Sequence, residues 1–153
     1  MTATTKHPMV ILLAEDDDGH ATLIQRNLHR AGVVNDVVRV VTGQQALDYV
    51  FSRGEFASRP TDMNLLLLLD INLPLLDGFE VLRQLKENPK TNQIPVILLT
   101  TTDDPRDIAR GYALGCSVYI TKPLKYESFV EAIRRLGLFL EIIQVPPMST
   151  AAV

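Results

Sequence analysis

The sequence predicts an α/β fold: a doubly wound (βα)5 three-layer sandwich built on a parallel sheet. Three observations carry this prediction. Short apolar runs alternate with amphipathic stretches five times along the 153 residues. The runs are near-continuous rather than alternating, as expected of strands covered by helices on both faces. A chain of this length also fits one domain, for which roughly 150 residues is a usual size. With right-handed crossovers, the expected arrangement is a flavodoxin-like sheet of strand order 2-1-3-4-5.

Each element has its own signal. Met9 to Ala14 (MVILLA) is the first strand, bounded by acids. Asp17 or Asp18 can cap a first helix in which Leu23, Ile24, Leu28 and Ala31 recur at helical spacing, with Gly32 as its stop. Asp36 to Val41 is a β-branched second strand. Thr42 caps a helix carrying Ala46, Leu47, Val50 and Phe51, which ends near Gly54. The stretch from Ser52 to Asp62 reads as an exposed loop. Leu65 to Leu69 is the third strand, followed by a helix through Phe79, Val81, Leu82 and Leu85. Pro95 opens the fourth strand, and Asp104-Pro105 starts a helix by capping plus proline at the first position. Val118 to Thr121 is the fifth strand, and Tyr126 to about Ile143 the last helix. The domain therefore runs from 9 to 143, with a flexible N-terminus (1–8) and a disordered tail (144–153).

Composition narrows the function classes. Fifteen basic and 18 acidic residues give a net charge of −3 and a pI near 5.6, against a general nucleic-acid binder. The single Cys116 excludes an internal disulfide or a multi-cysteine zinc site. No apolar run approaches the ~20 residues that span a bilayer, and the first residues lack a signal-peptide core. The expectation is a cytoplasmic, soluble protein without a membrane or nucleic-acid partner.

In sheets of this kind ligands sit beyond the carboxyl ends of the strands. Glu15, Asp16 and Asp17 follow strand one, Asp70 and Asn72 strand three, Thr100 to Thr102 strand four, and Thr121-Lys122-Pro123 strand five. Clustered carboxylates repel one another unless a cation joins them, and hard oxygen ligands suit Mg²⁺. Lys122 offers a point charge for phosphate and a threonine hydroxyl a hydrogen bond. The set reads as a magnesium-assisted phosphoryl acceptor with one carboxylate as nucleophile. Taken singly, each residue is more ordinarily a helix cap, a solvated acidic turn or a surface turn. Convergence of four strand ends reverses those odds.

Glu15-Asp16 after VILLA, DINLPLLDG from Asp70 to Gly78, PVILLTT from Pro95 to Thr101, and Tyr119 with TKP from Thr121 resemble the receiver domains of two-component response regulators. The resemblance covers roughly Val10 to Leu136. More narrowly, the loop from Ser52 to Asp62, NLP after the acceptor and TKPL are similar to the single-domain receivers that partner cyanobacterial phytochrome kinases. The likeness implies that Asp70 accepts a phosphoryl group from a sensor kinase histidine. It implies Mg²⁺ on Asp16, Asp70, the Asn72 backbone carbonyl and, through water or weakly, Glu15. Thr100 would hydrogen-bond the phosphoryl group, Lys122 would pair with one of its oxygens, and Tyr119 would swing inward behind Thr100. Asn72 and Thr102 fall where family members tune the phosphoryl lifetime. Neither is a general base, so slow hydrolysis is expected. Leu75 and Leu76 depart from the polar residues common after the acceptor; packing under the loop is the favoured reading, a docking surface the other.

About 30 residues follow Lys122, too few for a catalytic or DNA-binding output domain, so output by protein contact is expected. On the last helix Phe129, Ile133, Leu136, Leu140 and Ile143 form a core stripe, while Leu138, Phe139 and Ile142 fall outside it. That predicts a homodimer through helix four, strand five, helix five and the C-terminal extension, or a fold-back of the extension onto its own domain. His7, His20 and His29 show no ligand spacing, and Cys116 reads as a small buried residue. Two other function classes remain: a pseudo-receiver that binds without phosphorylation, and a haloacid-dehalogenase-like phosphatase. The latter needs a second Asp where this chain has Asn72.

Overall fold

The computed structural model describes residues 9–60, 64–122, 125–128 and 130–131. Its strands are β1 (Met9–Ala14), β2 (Val37–Val40), β3 (Asn64–Leu69), β4 (Val96–Thr100) and β5 (Val118–Thr121). The helices between them are α1 (Asp18–Arg30), α2 (Gly43–Val50), α3 (Gly78–Glu87) and α4 (Pro105–Ala113). The strands form one parallel sheet in the expected order, β2-β1-β3-β4-β5. Residues 126–128 and 130–131 are helical, the start of the expected last helix. The flexible-end expectations at 1–8 and 144–153, the rest of the last helix and its stripe, and Leu138, Phe139 and Ile142 lie outside the described residues.

Successive residues of a strand point to opposite faces, and here both faces are dry. Val10, Leu12, Leu67, Leu69, Val96 and Leu98 enter the larger core beneath α2, α3 and α4. Met9, Ile11, Leu13, Leu66, Leu68, Ile97 and Leu99 enter the smaller one, beneath α1. The guanidinium of Arg30 at the end of α1 stacks 4.3 Å over the Tyr126 ring, which sets the start of the last helix beside α1. Caps fix where helices begin. Asp17 accepts from the His20 N–H, Thr42 from Gln45, Asp77 from Glu80 and Asp104 from Arg106.

Packing corrects some details of the sequence reading. Leu23 lies off the buried stripe of α1, 40% exposed, and the stripe is completed by Ala21 and Asn27. The loop after α2 is largely exposed, as expected, and it also carries structure of its own. It holds a 3-10 turn at Gly54–Phe56, and Phe56 meets Tyr49 edge-on at 5.1 Å between ring centroids. The Arg59 guanidinium stacks on the other aromatic partner, Tyr49, at 4.4 Å and donates to the carbonyls of Tyr49 and Val50. Both carbonyls lie in the last turn of α2, where helical partners run out, and that of Tyr49 also accepts from the Ser52 N–H. The two leucines after the acceptor separate: Leu76 packs half-buried against the larger core, while Leu75 is 83% exposed with φ +69°. Cys116 is buried, as expected.

Two glycines let the loops at the carboxyl rim close. A Cβ on Gly43 would sit 1.9 Å from the Leu76 carbonyl oxygen, and one on Gly78 would sit 2.3 Å from that of Asp70. Because the obstacle is backbone in both cases, no rotamer change relieves it. Gly78→Ala is expected to lower stability by about 1–3 kcal/mol, seen as a lower urea midpoint at unchanged slope. Burial pushes the Cys116 thiol up to about 11. The native thiol should therefore label slowly at mildly alkaline pH and quickly in urea. The sign follows from linkage: this burial stabilises fully below the thiol's ordinary pKa near 9.0, and the contribution is lost as pH climbs toward 11.

Candidate functional site

The sheet register builds the site. Ala14 pairs with Leu69, and the Asp70 N–H donates to the Ala14 carbonyl at 3.1 Å, so Glu15 and Asp70 leave adjacent strands side by side. Thr100 pairs with Thr121, and the Lys122 N–H donates to the Thr100 carbonyl at 2.7 Å. Four neighbouring strand ends thus deliver two carboxylates, a hydroxyl and an ammonium to one rim. The acids follow the strands directly because an apolar run ends where its sheet face ends.

Glu15 and Asp70 are 1% and 6% exposed, and Thr100 is fully buried. Asp16 is exposed at the mouth. Oxygens of Glu15, Asp16 and Asp70 lie within 4.8 Å of one another. The Lys122 ammonium, its side chain 6% exposed, donates to Glu15 Oε1 and, at 3.0 Å, to Asp70 Oδ2. The other oxygen of each carboxylate is engaged by backbone: Asp70 Oδ1 accepts from the Asn72 N–H at 3.1 Å, and Glu15 Oε2 from the Asp17 N–H at 3.1 Å. Burial pushes the Glu15 carboxyl above its usual range; the Lys122 and Asp17 hydrogen bonds pull it back and the Asp70 charge adds to the rise. Arg39 reaches in from β2, donating to the Glu15 carbonyl at 2.9 Å and pairing with Asp18 at 2.8 Å. Three carboxylates outnumber the one ammonium that pairs with two of them, and hard oxygen donors suit a small divalent cation, so the acidic cluster fits a metal site.

The remaining expected residues stand nearby. The Thr102 N–H faces Thr100 Oγ1 at 3.4 Å, and the Thr102 hydroxyl donates to Asp107 at 3.1 Å. Tyr119 lies half-buried between β5 and α4, where its hydroxyl donates to the Thr102 carbonyl at 2.9 Å and its ring covers Gly111. Burial, with the acids around it, pushes its phenol up to about 12. Asn72 is exposed at the start of the loop after β3. The sequence reading missed His20. Its Nδ1 lies 3.1 Å from Lys122 Nζ, although it showed no ligand spacing with His7 or His29. The available signal was its place three residues after the Asp17 cap, where the first turn of α1 overhangs the end of β1.

A flavodoxin-like sheet with these groups on its carboxyl rim is the arrangement of a signalling receiver. The chain belongs to the response regulator receiver domain family, whose match runs over residues 11–134. It is similar to the response regulator Rcp1 of Synechocystis sp., 32% identical over 147 residues that cover 95% of this chain and 99% of Rcp1. Among solved structures, the bacteriophytochrome response regulator RtBRR superposes with a TM-score of 0.81 at 35% identity, covering 96% of this chain and 89% of its own. The phosphorylated cyanobacterial phytochrome response regulator RcpA does so with a TM-score of 0.72 at 35% identity, covering 88% and 94%. A Mn²⁺-bound form of Rcp1 matches with a TM-score of 0.74 at 34% identity, covering 91% and 99%. No helix among the described residues is long and apolar enough to cross a membrane.

Lys122→Met would strand two buried carboxylates without their shared cation. Stability should fall by about 3 kcal/mol at neutral pH in the absence of divalent metal. The deficit should shrink on acidification, because protonation removes the unpaired charges. Urea denaturation of both proteins across the acidic range checks both statements.

Proposed function

We propose that this receiver takes a phosphoryl group from the histidine of a sensor kinase onto Asp70, in the presence of Mg²⁺, and passes the signal through a protein–protein interface. One observation supports it above the others: the Lys122 ammonium bridges Asp70 and Glu15 at the carboxyl rim, beside the buried Thr100. An Asp70 oxygen forms the bond to phosphorus as the donor's phosphorus–nitrogen bond breaks. The electron pair of that bond returns to the imidazole, which takes up a proton. Lys122 pairs with one phosphoryl oxygen and the Thr100 hydroxyl donates to another. Asp16, Asp70, the Asn72 carbonyl and, through water or weakly, Glu15 would hold Mg²⁺, which would supply positive charge to offset the crowding of anionic oxygens.

Thr100 and Tyr119 then form the switch. A hydroxyl drawn toward the phosphoryl group leaves room behind it, and Tyr119 gives up its bond to the Thr102 carbonyl to fill that room. Asn72 and Thr102 line the approach of water without supplying a base, so the acyl phosphate is long-lived. A phytochrome-type kinase as partner is supported by the likeness to Rcp1, RtBRR and RcpA. A homodimer through α4, β5 and the last helix, with Leu138, Phe139 and Ile142 in the contact, is supported by their apolar character and by exposed Tyr112 on α4. A cytoplasmic location goes with this reading. The phosphatase alternative finds no support, since Asn72 cannot protonate a leaving group.

The deciding measurement is intact mass after incubation with Mg²⁺ and a small phosphodonor. Wild type should gain one phosphoryl group, Asp70→Asn none, and chelation of the metal should abolish the gain. Equal gain in both proteins would move the acceptor elsewhere, and no gain in either would leave a receiver that binds partners unphosphorylated. Sedimentation at micromolar protein should give a dimeric mass; a monomer ends the dimer proposal.

A further inference from the structure

We infer that His20 is a positioning residue for Lys122: its Nδ1 accepts a hydrogen bond from the ammonium and keeps that cation in place as Asp70 is phosphorylated. The inference rests on Asp70 being the acceptor. A lysine ammonium has three N–H donors and no acceptor. Within reach of Lys122 Nζ stand Glu15 Oε1, Asp70 Oδ2 at 3.0 Å and His20 Nδ1 at 3.1 Å, one partner for each donor.

The inference carries a tautomer for His20 with it. Because the ammonium can only donate, Nδ1 must present its lone pair, and the ring proton belongs on Nε2. The carboxylates do not compete for the nitrogen. Glu15 and Asp17 lie 3.9 and 4.0 Å from Nδ1, beyond hydrogen-bonding distance. The backbone fixes the ring's origin, since the His20 N–H donates to the Asp17 cap at 2.8 Å. The ring thus hangs from the rigid first turn of α1 and meets a lysine 102 residues away in sequence.

The three partners have different fates in the reaction. Asp70 Oδ2 loses its share of the ammonium when a phosphoryl oxygen takes that N–H. Glu15 would share its charge with the metal that the acidic cluster could hold. His20 takes no part in the bond changes, and its ring is held by the first turn of α1. It is the partner that can hold the ammonium through the transfer. A positioned donor matters most where charge develops, so the loss should appear in the maximal rate rather than in metal binding.

The test follows phosphorylation of the full chain by a small phosphodonor at saturating Mg²⁺, with Mn²⁺ affinity measured in parallel. His20→Ala should slow the maximal rate about tenfold, the scale of one hydrogen bond to a charged group. Its Mn²⁺ affinity should be unchanged. His20→Asn, whose amide oxygen falls near the place of Nδ1, should recover most of the rate. In a Lys122→Ala background His20→Ala should add nothing, because the two act as a unit. Equal slowing in both backgrounds, no slowing, or a loss of Mn²⁺ affinity would overturn the assignment. Imidazole ¹⁵N spectra give an independent reading. His20, identified by its loss in His20→Asn, should show the Nε2–H tautomer, and an Nδ1–H tautomer would also overturn it. If wild type takes no phosphoryl group while that tautomer is found, the acceptor reading has failed and the contact with Lys122 stands.

Discussion

A single ammonium inside a ring of oxygens is what the carboxyl rim depends on. Glu15 and Asp70 are buried side by side, and two carboxylates so placed would repel each other without Lys122 between them. Their remaining oxygens are tied to the N–H groups of Asp17 and Asn72, so each acid is held at both ends. The arrangement is balanced but not saturated. Lys122 pairs with two of the three clustered acids, Glu15 and Asp70, which leaves the rim receptive to further positive charge and to a group that can take over part of the ammonium.

The sheet makes that balance possible. Leucine-rich strands bury both faces, so the backbone ladder rather than side-chain packing at the rim sets the spacing of the strand ends. Gly43 and Gly78 let the loops cross close to the backbone of Leu76 and Asp70, which closes the rim without widening it. On the far side, Lys86 donates to the Asn92 and Ile94 carbonyls and covers the entrance to β4.

Strand order and site were legible because both are written in residue type at fixed positions. A continuous apolar run reads as a strand buried on two faces, and the first polar residue after it marks the rim. Asp70 and Thr100 stand at the rim by that rule, and Lys122 follows Thr121 one residue further on. What escaped depends on rotation or on the sign of one dihedral. Leu23 shares the helical spacing of Ile24 and Leu28, yet the angle at which α1 meets the sheet turns it outward. Leu75 and Leu76 are the same residue type in one loop, and a positive φ at the first sends their side chains apart. Arg59 gave no signal at all, since its partners are helix-end carbonyls that no residue type announces. His20 was read for metal-ligand spacing, whereas its partner is a lysine brought to it only by the fold.

The bond from the Lys122 N–H to the Thr100 carbonyl has a mechanical side. It ties cation and hydroxyl into one crossbar between β4 and β5. Among the described residues β5 is an edge strand paired with β4 alone, whereas β1 and β3 are gripped on both sides. The two acids therefore follow strands held on both sides, Thr100 closes β4 beside them, and Lys122 stands at the margin of the sheet. The ammonium that pairs the acids therefore reaches them from the edge of the sheet, across the width of β4.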